Sequence, residues 1–290
     1  MINSLPIHNN FGSVTTSNLS DTHICLDIKH HVCNAKVSLF GGHVLSWQPA
    51  GEKEVFWLSD NANYDLNSAI RGGIPLCWPW FGPHEKNGIK GNHGFARNLN
   101  WQLAGIDIRE DSVIITLGLS GENQHPLWPE KYSIQQELSF GKTFKQTLSV
   151  TNLSGHSVEY TGALHSYFAV GAPESCSVQT LEQAKFEDKL TGNSNEPSPL
   201  ESCKGPIDRI YHSNDVAIIE DKKWQRSIEV TPLNTKQWVL WNPGKDTASK
   251  MADIHSGGEN EYVCLEAANT QWSEIKAGET ITIGQMIKLI

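Results

Sequence analysis

Alternation of apolar and polar residues with a period of two is the feature that most constrains the fold of this chain. In six segments this alternation puts apolar or β-branched residues on one face and polar residues on the other: residues 112–120, 132–140, 144–154, 227–233, 237–243 and 279–290. Turn residues separate such segments at short intervals, and helical spacing is rare. The sequence therefore predicts an all-β protein, a large antiparallel β-sandwich with few short helices.

Length and composition are consistent with one large domain. A chain of 290 residues can bury a full core, and 38% hydrophobic with 19% charged residues is typical of a globular protein without disorder. The segment 191–206 is rich in Pro, Ser and Asn, but β pattern continues on both sides, so we interpret it as a surface loop. We predict a single domain over residues 1–290, in which about the first 20 residues are peripheral.

Charge and hydropathy exclude several classes of partner. The net charge of −9 is spread along the chain, which argues against a nucleic-acid partner. No apolar run approaches the roughly 20 residues of a membrane span, and the N-terminal residues lack the basic and apolar regions of a signal peptide. We therefore expect a cytoplasmic protein without a membrane partner, and we expect a monomer.

The cysteines indicate neither disulfides nor a zinc site. No C-x-x-C pair and no zinc-motif spacing occur among the six: Cys25, Cys33, Cys77, Cys176, Cys203 and Cys264. Without a secretion signal, free thiols are expected. The apolar surroundings of Cys77 and Cys264 favour a role as small buried hydrophobes over catalysis.

The segment 69–98 concentrates residues that serve binding sites. It holds two of the five arginines, two histidines, six glycines and two tryptophans. Residues 71–83 have too many glycines and prolines for a helix and alternate too little for a strand, so they should form a loop that places Arg71 beside a pocket. His93 and Arg97 follow, four residues apart, on a turn or strand end. Because a guanidinium binds phosphate or carboxylate through two parallel hydrogen bonds, two arginines in one loop suggest an anion clamp. Ion pairs that merely hold the loop in place are the structural alternative.

Tryptophan gives a weak hint of carbohydrate binding. The chain has ten tryptophans, of which five lie near the polar motifs: Trp78, Trp80, Trp101, Trp238 and Trp241. A flat indole suits the C–H face of a sugar ring, whereas filling the sandwich core is the alternative for any one of them.

Two titratable residues lie in apolar strand settings. His165 stands in a stretch of small and aromatic residues, and Glu266 ends an apolar run. A buried, unpaired carboxylate is costly, so Glu266 should have a partner or a chemical role. Each residue alone is more often structural, and their separation along the chain does not say whether the fold brings them together.

Seven motifs, taken in order, resemble those of the hexose-6-phosphate mutarotases (glucose-6-phosphate 1-epimerases) of the aldose 1-epimerase group. Over about residues 40 to 290 they are AIRGGIPLCWPWFGP, HGFARNLNW, LHSYFAVG, IDRIYH, VLWNPG, KMADI and EYVCLEAAN. The resemblance implies a galactose mutarotase-like supersandwich with no metal and no organic cofactor. It also implies site residues: His165 as general acid, Glu266 as general base, Asp208 on sugar hydroxyls, and Arg71, His93 and Arg97 lining the site.

Three further residues complete the predicted binding site. Trp80 stands where many relatives carry Gln, and Trp241 is placed to offer an aromatic face to the sugar. Lys250, the first residue of the KMADI motif, is predicted to share the phosphate with Arg97.

The implied reaction needs one acid and one base. A pyranose changes anomer by opening at the C1–O5 bond, which takes a proton from the C1 hydroxyl and gives one to the ring oxygen. The lack of a nucleophile motif is consistent with this. The expected partner is a small sugar phosphate, D-glucose 6-phosphate in the first place. Three alternatives stay open: a mutarotase for unphosphorylated aldoses, a non-catalytic carbohydrate-binding sandwich, and a polysaccharide lyase or hydrolase.

Overall fold

Strands dominate the structure, a computed structural model that describes residues 5–21, 23–66 and 68–290. Strands contain 55% of the residues and helices 7%, which confirms the predicted all-β class with few helices. In chain order the strands are β1 (Ile7–His8), β2 (Gly12–Ser20), β3 (His23–His30), β4 (Cys33–Ser38), β5 (His43–Pro49), β6 (Leu76–Cys77), β7 (Pro83–Lys86), β8 (Ile89–Asn92), β9 (Gln102–Ile108), β10 (Ser112–Gly121), β11 (Tyr132–Gly141), β12 (Thr143–Asn152), β13 (Val158–Leu164), β14 (Tyr167–Ala169), β15 (Cys176–Ser177), β16 (Phe186–Asp188), β17 (Asn193–Asn195), β18 (Ile207–Tyr211), β19 (Ala217–Asp221), β20 (Arg226–Leu233), β21 (Gln237–Asn242), β22 (Tyr262–Ile275) and β23 (Thr280–Leu289).

The helices are all short. An α-helix, α1, spans Gly244–Ala248, and the 3-10 helices are Ala96–Asn98, Pro173–Ser175, Gln179–Gln183 and Gly258–Asn260. Within the described ranges, no helix is both long enough and apolar enough to cross a membrane.

The six segments predicted from alternation correspond to strands β10, β11, β12, β20, β21 and β23, to within two residues at each end. Burial follows the sequence pattern, as β12 shows, where every second side chain is buried. The predicted surface loop 191–206 is mostly exposed and contains the short strand β17, which pairs with β16.

Antiparallel pairing assembles the strands of the described residues into three large sheets and one hairpin. The first sheet contains β1 to β5 in sequence order, and β7 pairs with β8 as the hairpin. The second sheet has the order β15-β19-β20-β23-β12-β11-β10-β9. The third has the order β17-β16-β18-β21-β22-β13-β6, with β14 also paired to β22. The N-terminal segment predicted to be peripheral supplies the edge strand β1 and strand β2, where Val14 is fully buried; residues 1–4 of that segment lie outside the described ranges.

Apolar faces of all three sheets meet in one hydrophobic core. It includes Leu26 from the first sheet, Leu148 from the second and Leu265 from the third. Four of the tryptophans considered for sugar binding belong to this core and are at most 3% exposed: Trp78, Trp80, Trp101 and Trp238. Cys77 and Cys264 are buried free thiols, as predicted, on the other face of the third sheet. One face of the third sheet thus closes the core, and the opposite face remains for a site.

Candidate active site

Strand pairing brings His165 and Glu266 together. Strands β13 and β14 both pair with β22, on either side of this position: Leu164 with Ala267, and Tyr167 with Cys264. The two residues between β13 and β14 keep the same register, so His165 stands opposite Glu266. Opposite side chains on antiparallel strands point to the same face, here the one away from the core. His165 and Glu266 are far apart in the sequence, and the pairing of β22 with β13 and β14 brings them together.

A cavity of about 360 Å³ lies over this face of the third sheet. That volume is within the range of small-molecule sites. Seven predicted residues line it: Arg71, His93, Arg97, His165, Asp208, Trp241 and Glu266. The remaining walls are Phe81, Gly82, Pro83, Asn92, Lys189, Val239 and Met251. The segment 69–98, which also contains β6 and the hairpin of β7 and β8, therefore contributes to the pocket.

His165 and Glu266 form a buried acid–base pair. His165 Nε2 lies 3.4 Å from Glu266 Oε1, with side chains 10% and 1% exposed. Tyr167 stacks on the imidazole at a centroid distance of 4.8 Å and an angle of 9°, and Trp241 meets its edge at 5.8 Å. Glu266 Oε2 has no hydrogen-bond partner among the described residues. Aromatic packing thus fixes the ring, while the carboxyl keeps one oxygen available.

Burial shifts the pKa values of the pair toward the neutral forms. It lowers the pKa of His165 well below its usual value, and neighbouring imidazole and guanidinium groups lower it further. Burial, and then the carboxylate of Asp208, raise the pKa of Glu266 well above its usual value, with Arg97 acting in the opposite direction. Because the two groups are in contact, they titrate as a coupled pair.

His93 is held as a neutral hydrogen-bond donor. Its Nδ1 accepts a hydrogen bond from the Gly82 N–H at 3.1 Å, so the neutral ring carries its proton on Nε2. Burial, together with nearby positive charges, lowers the pKa of His93 to about 3. The ring centroids of His93 and His165 are 5.8 Å apart. His93 can therefore donate to a ligand beside the acid–base pair without carrying charge.

The two arginines of the loop have different partners. Arg71 Nε lies 2.9 Å from Asp253 Oδ2, and its Nη1 donates to the Tyr167 hydroxyl at 2.8 Å. Arg97 donates from Nη2 to the Asn92 carbonyl at 3.2 Å, and its Nε is buried without a partner in the described chain. The ion pairs of the described residues include Arg71 but not Arg97. Arg71 is thus held in place by an acid, whereas the charge of Arg97 is unpaired.

Both arginines also line a second, smaller cavity of about 270 Å³. Its other walls include Ser68 and Asn98, whose Oδ1 is buried without a described hydrogen-bond partner. Arg71 and Arg97 therefore lie between the cavity that holds His165 and Glu266 and this second, polar cavity.

Asp208 and Lys189 also line the cavity. Asp208 pairs in register with Trp241 across β18 and β21, and burial raises the pKa of its carboxyl. Lys189, which sequence reasoning missed, donates its backbone N–H to the Asp208 carbonyl, and its ammonium lies 5.6 Å from the Phe81 ring centroid. No ion pair joins Lys189 to an acidic side chain in the described ranges. Its sequence context carries no motif, so only the pairing of β16 with β18 reveals its place.

Two predicted site residues do not line the cavity. Trp80 is 1% exposed and packs against Phe95 and His125, while the next residue, Phe81, faces the cavity. Lys250 is exposed in the turn after α1, and here too the next residue, Met251, lines the cavity. In both cases the prediction identified the segment but not the side chain that points inward.

The arrangement supplies an acid, a base, neutral and charged donors and an aromatic wall around a small cavity. In the described residues, no group of three or more His, Cys, Asp or Glu side chains is arranged to hold a metal ion. The imidazole and carboxyl groups, with the positive charge of Arg97 and Lys189, are suited to proton transfer on a polar ligand that carries negative charge.

Known proteins resemble this chain over nearly its full length. The family model described as aldose 1-epimerase matches residues 24–288. A protein of Escherichia coli (strain K12) named "Putative glucose-6-phosphate 1-epimerase" is 35% identical over 269 residues, which cover 91% of this chain and 90% of that protein. A protein of Salmonella typhimurium (strain LT2) with the same name is 33% identical over 268 residues, 91% of this chain and 89% of its own.

A solved structure extends the similarity to the fold. The crystal structure of a "putative mutarotase (YeaD)" from Salmonella typhimurium superposes with a TM-score of 0.87 at 30% identity, covering 98% of this chain and 96% of that one. The predicted galactose mutarotase-like sandwich is thereby confirmed. The chain belongs to the aldose 1-epimerase family and is an isomerase.

Proposed function

We propose that the protein interconverts the α and β anomers of a hexose 6-phosphate, with D-glucose 6-phosphate as the first choice, and that His165 and Glu266 carry the chemistry. The observation that carries the proposal is the 3.4 Å contact between these two side chains at a cavity lined by the unpaired Arg97. A monomer in the cytoplasm, folded as a single domain, completes the proposal.

Ring opening uses the two groups together. Glu266, as carboxylate, removes the proton from the C1 hydroxyl while protonated His165 donates a proton to O5, and the C1–O5 bond breaks. The product is an open-chain aldehyde beside a protonated Glu266 and a neutral His165. Rotation about C1–C2 presents the other face of the aldehyde. O5 then attacks C1, His165 takes the O5 proton, Glu266 returns its proton to O1, and the opposite anomer forms.

The buried setting suits this cycle. Burial favours the neutral pair, which is the form that remains after ring opening. Arg97 and Lys189 lower the pKa of Glu266 and so favour the ionised form that begins the cycle. Arg97 also lowers the pKa of His165, so its charge favours the carboxylate of the pair and disfavours the imidazolium.

The other walls are proposed to orient the sugar. The Asp208 carboxylate would accept hydrogen bonds from ring hydroxyls, and His93 Nε2 would donate one. The indole of Trp241 would pack on the C–H face of the ring. Holding the ring against the acid and the base in this way contributes to rate through proximity and orientation.

Unpaired positive charge supports a phosphorylated substrate. Arg97 at the cavity forms no ion pair with a described side chain, and Arg71 stands beside it. A guanidinium binds phosphate strongly through paired N–H groups. The relatives named as glucose-6-phosphate 1-epimerases agree with this choice. The small cavity favours a single hexose over a polysaccharide, and the acid–base pair favours catalysis over simple binding.

Magnetisation-transfer NMR tests the proposal by measuring the rate of anomer exchange for glucose 6-phosphate and for glucose. We expect exchange with both sugars and a kcat/KM at least about 10-fold higher for the phosphate, since a hydrogen bond to a charged group contributes roughly 1.5–3 kcal/mol. Equal values would contradict the phosphate preference. Exchange no faster than in buffer for either sugar would contradict the proposed function itself.

A further inference from the structure

A row of three buried glutamine side chains and one serine side chain crosses the core behind the active site. We call it the glutamine ladder. It consists of Gln136 on β11, Gln146 on β12, Gln285 on β23, and Ser166 between β13 and β14. Gln146 Nε2 donates to Gln136 Oε1 at 2.8 Å, and Gln285 Nε2 donates to Gln146 Oε1 at 3.0 Å. Ser166 Oγ lies 2.9 Å from Gln285 Nε2 and 3.2 Å from its Oε1. At the far end, Gln136 Nε2 donates to the Gly42 carbonyl at 2.7 Å.

The ladder buries polar groups that would destabilise the fold without hydrogen-bond partners. Its four members are at most 1% exposed and are surrounded by the apolar core. Burying a primary amide or a hydroxyl costs free energy unless its hydrogen bonds are satisfied. Here they are satisfied by one another, with the amides aligned in one direction so that each bond polarises the next. Such a network defines one geometry where an apolar core of similar volume would tolerate several.

One end of the ladder holds the acid–base pair. The side chain of Ser166 binds Gln285, while its carbonyl accepts the Leu265 N–H at 3.1 Å. Ser166 is the neighbour of His165 in the chain, and Leu265 is the neighbour of Glu266. Ser166 therefore joins the two backbone segments that carry the pair, at the two-residue gap between β13 and β14 along β22.

The other end of the ladder lies near the segment 69–98, which carries Arg71 and Arg97. The contact with Gly42 requires glycine, because a Cβ there would lie 2.9 Å from Gln136 Nε2, and its φ is +55°. The next residue, His43, is fully buried, and its Nε2 lies 2.7 Å from the Gly72 carbonyl. Gly72 follows Arg71. At one end the ladder is thus connected through His43 to the backbone that follows Arg71, and at the other end it reaches the backbone of His165 and Glu266.

We propose that the glutamine ladder is a positioning device that fixes the distance between His165 Nε2 and Glu266 Oε1. This inference rests on the proposed function, since it assigns Ser166 and the glutamines a role in that reaction. They touch no substrate and act through the backbone of the pair. A displacement of the reacting groups by about 1 Å can cost roughly 100-fold in rate, so a core network of this kind can control kcat.

Two variants break the ladder at different distances from the pair. Ser166→Ala removes its last member, and Gln146→Met replaces a middle member with an apolar side chain of similar length. We expect kcat for glucose 6-phosphate to fall about 10-fold or more in both, with KM changed less than about 3-fold, because the binding walls are untouched. Ser166→Cys keeps a weak donor and should recover part of the loss.

Asn152→Leu is the matched control. Asn152 is 1% exposed and donates to the His156 and Ile275 carbonyls, away from the cavity. Urea unfolding should show stability losses in this control comparable to those of the ladder variants, with kcat close to wild type. Equal kcat losses in Asn152→Leu would show that general destabilisation is responsible and would overturn the proposal.

The imidazole NMR signal of His165 gives a readout that does not require turnover. It should shift in folded Ser166→Ala and Gln146→Met and stay in place in Asn152→Leu. An unchanged signal with kcat within about 3-fold of wild type in either folded ladder variant would contradict the positioning role. Wild-type exchange in the same assay reports the proposed function separately, so failure of one is distinguishable from failure of the other.

Discussion

Two polar regions, the glutamine ladder and the cavity, lie on opposite sides of the third sheet, and they use their hydrogen bonds differently. The glutamine ladder satisfies its amides internally. On the other face, Glu266 Oε2 and Arg97 Nε are buried without partners in the described residues. An unsatisfied buried polar atom costs free energy that a bound ligand can recover. The difference indicates that one region specifies the structure, whereas the other is kept open for a substrate.

Strand geometry allows the two regions to be neighbours. Ser166 binds the ladder and His165 faces the cavity, since successive side chains in extended chain point to opposite faces. In the same way, Leu265 belongs to the core and Glu266 to the cavity. A change in the ladder should therefore affect activity only through the backbone that carries His165 and Glu266, whereas a change in the cavity affects it directly. The following predictions concern the cavity.

The largest effect is expected from removing the acid or the base. His165→Ala and Glu266→Gln should each lower kcat for anomer exchange by roughly 10²- to 10⁴-fold, because each removes one proton-transfer group. Circular dichroism and urea unfolding should show an intact fold in both variants. Activity within a few-fold of wild type in either one would mean that the acid or base is wrongly assigned.

The next largest effect separates phosphate binding from sugar binding. Arg97→Ala should lower kcat/KM for glucose 6-phosphate by about 10- to 150-fold and for glucose by much less. Arg97→Lys should recover part of the loss, since an ammonium cannot reproduce the paired contact. Arg109→Ala, an exposed arginine paired with Asp107, is the control and should have no effect. Equal losses on both sugars in Arg97→Ala would assign the arginine to the fold or to ring hydroxyls.

A smaller effect concerns stability and its pH dependence. The pKa of Glu266 is raised in the folded protein, so the folded state binds this proton more tightly than the unfolded state. The free energy of unfolding of wild type, relative to Glu266→Gln, should therefore be highest at low pH and fall as pH rises above the unfolded pKa. Each unit of raised pKa is worth about 1.4 kcal/mol. Urea titrations at pH 5 and pH 8 measure the free energy of unfolding of wild type and of Glu266→Gln. A wild type that is more stable relative to Glu266→Gln at pH 8 than at pH 5 would contradict a raised pKa.

The smallest effect is a displacement of the pH profile. The kcat/KM for glucose should follow a bell that reports the coupled pair. Arg97 lowers the pKa of both His165 and Glu266, so Arg97→Ala should move both limbs to higher pH. Glucose is the substrate of choice because a phosphate group itself titrates near pH 6. A flat profile from pH 5 to 9, or limbs that move to lower pH, would argue against this pair.

The sequence predicted the parts of the molecule that have a regular period. Six strands could be located because one face of each is buried, so the alternation is visible in the residue order. The pairing of His165 with Glu266 could not be derived in this way, because it depends on the register of β22 with β13 and β14. A resemblance to known enzymes supplied that pair before the geometry did.

The remaining errors lie in irregular segments. Trp80 and Lys250 were predicted to bind the substrate, but their neighbours Phe81 and Met251 line the cavity instead, because a loop has no period from which side-chain direction can be read. Lys189 carries no motif and reaches the cavity only through the pairing of β16 with β18. The glutamines of the ladder appear in the sequence as ordinary polar residues of alternating strands. The period of their strands places them in phase with buried residues such as Leu138, Leu148 and Ile283, whereas their hydrogen bonds to one another depend on strand pairing.

Whether His165 and Glu266 act as one unit is tested most directly by the double variant His165→Ala/Glu266→Gln. Its rate of anomer exchange with glucose 6-phosphate is measured by magnetisation-transfer NMR beside the two single variants. Groups that act together give losses that do not add, so the double variant should be about as slow as the slower single variant. Losses that multiply would show that the two side chains contribute independently and would contradict a paired acid–base mechanism.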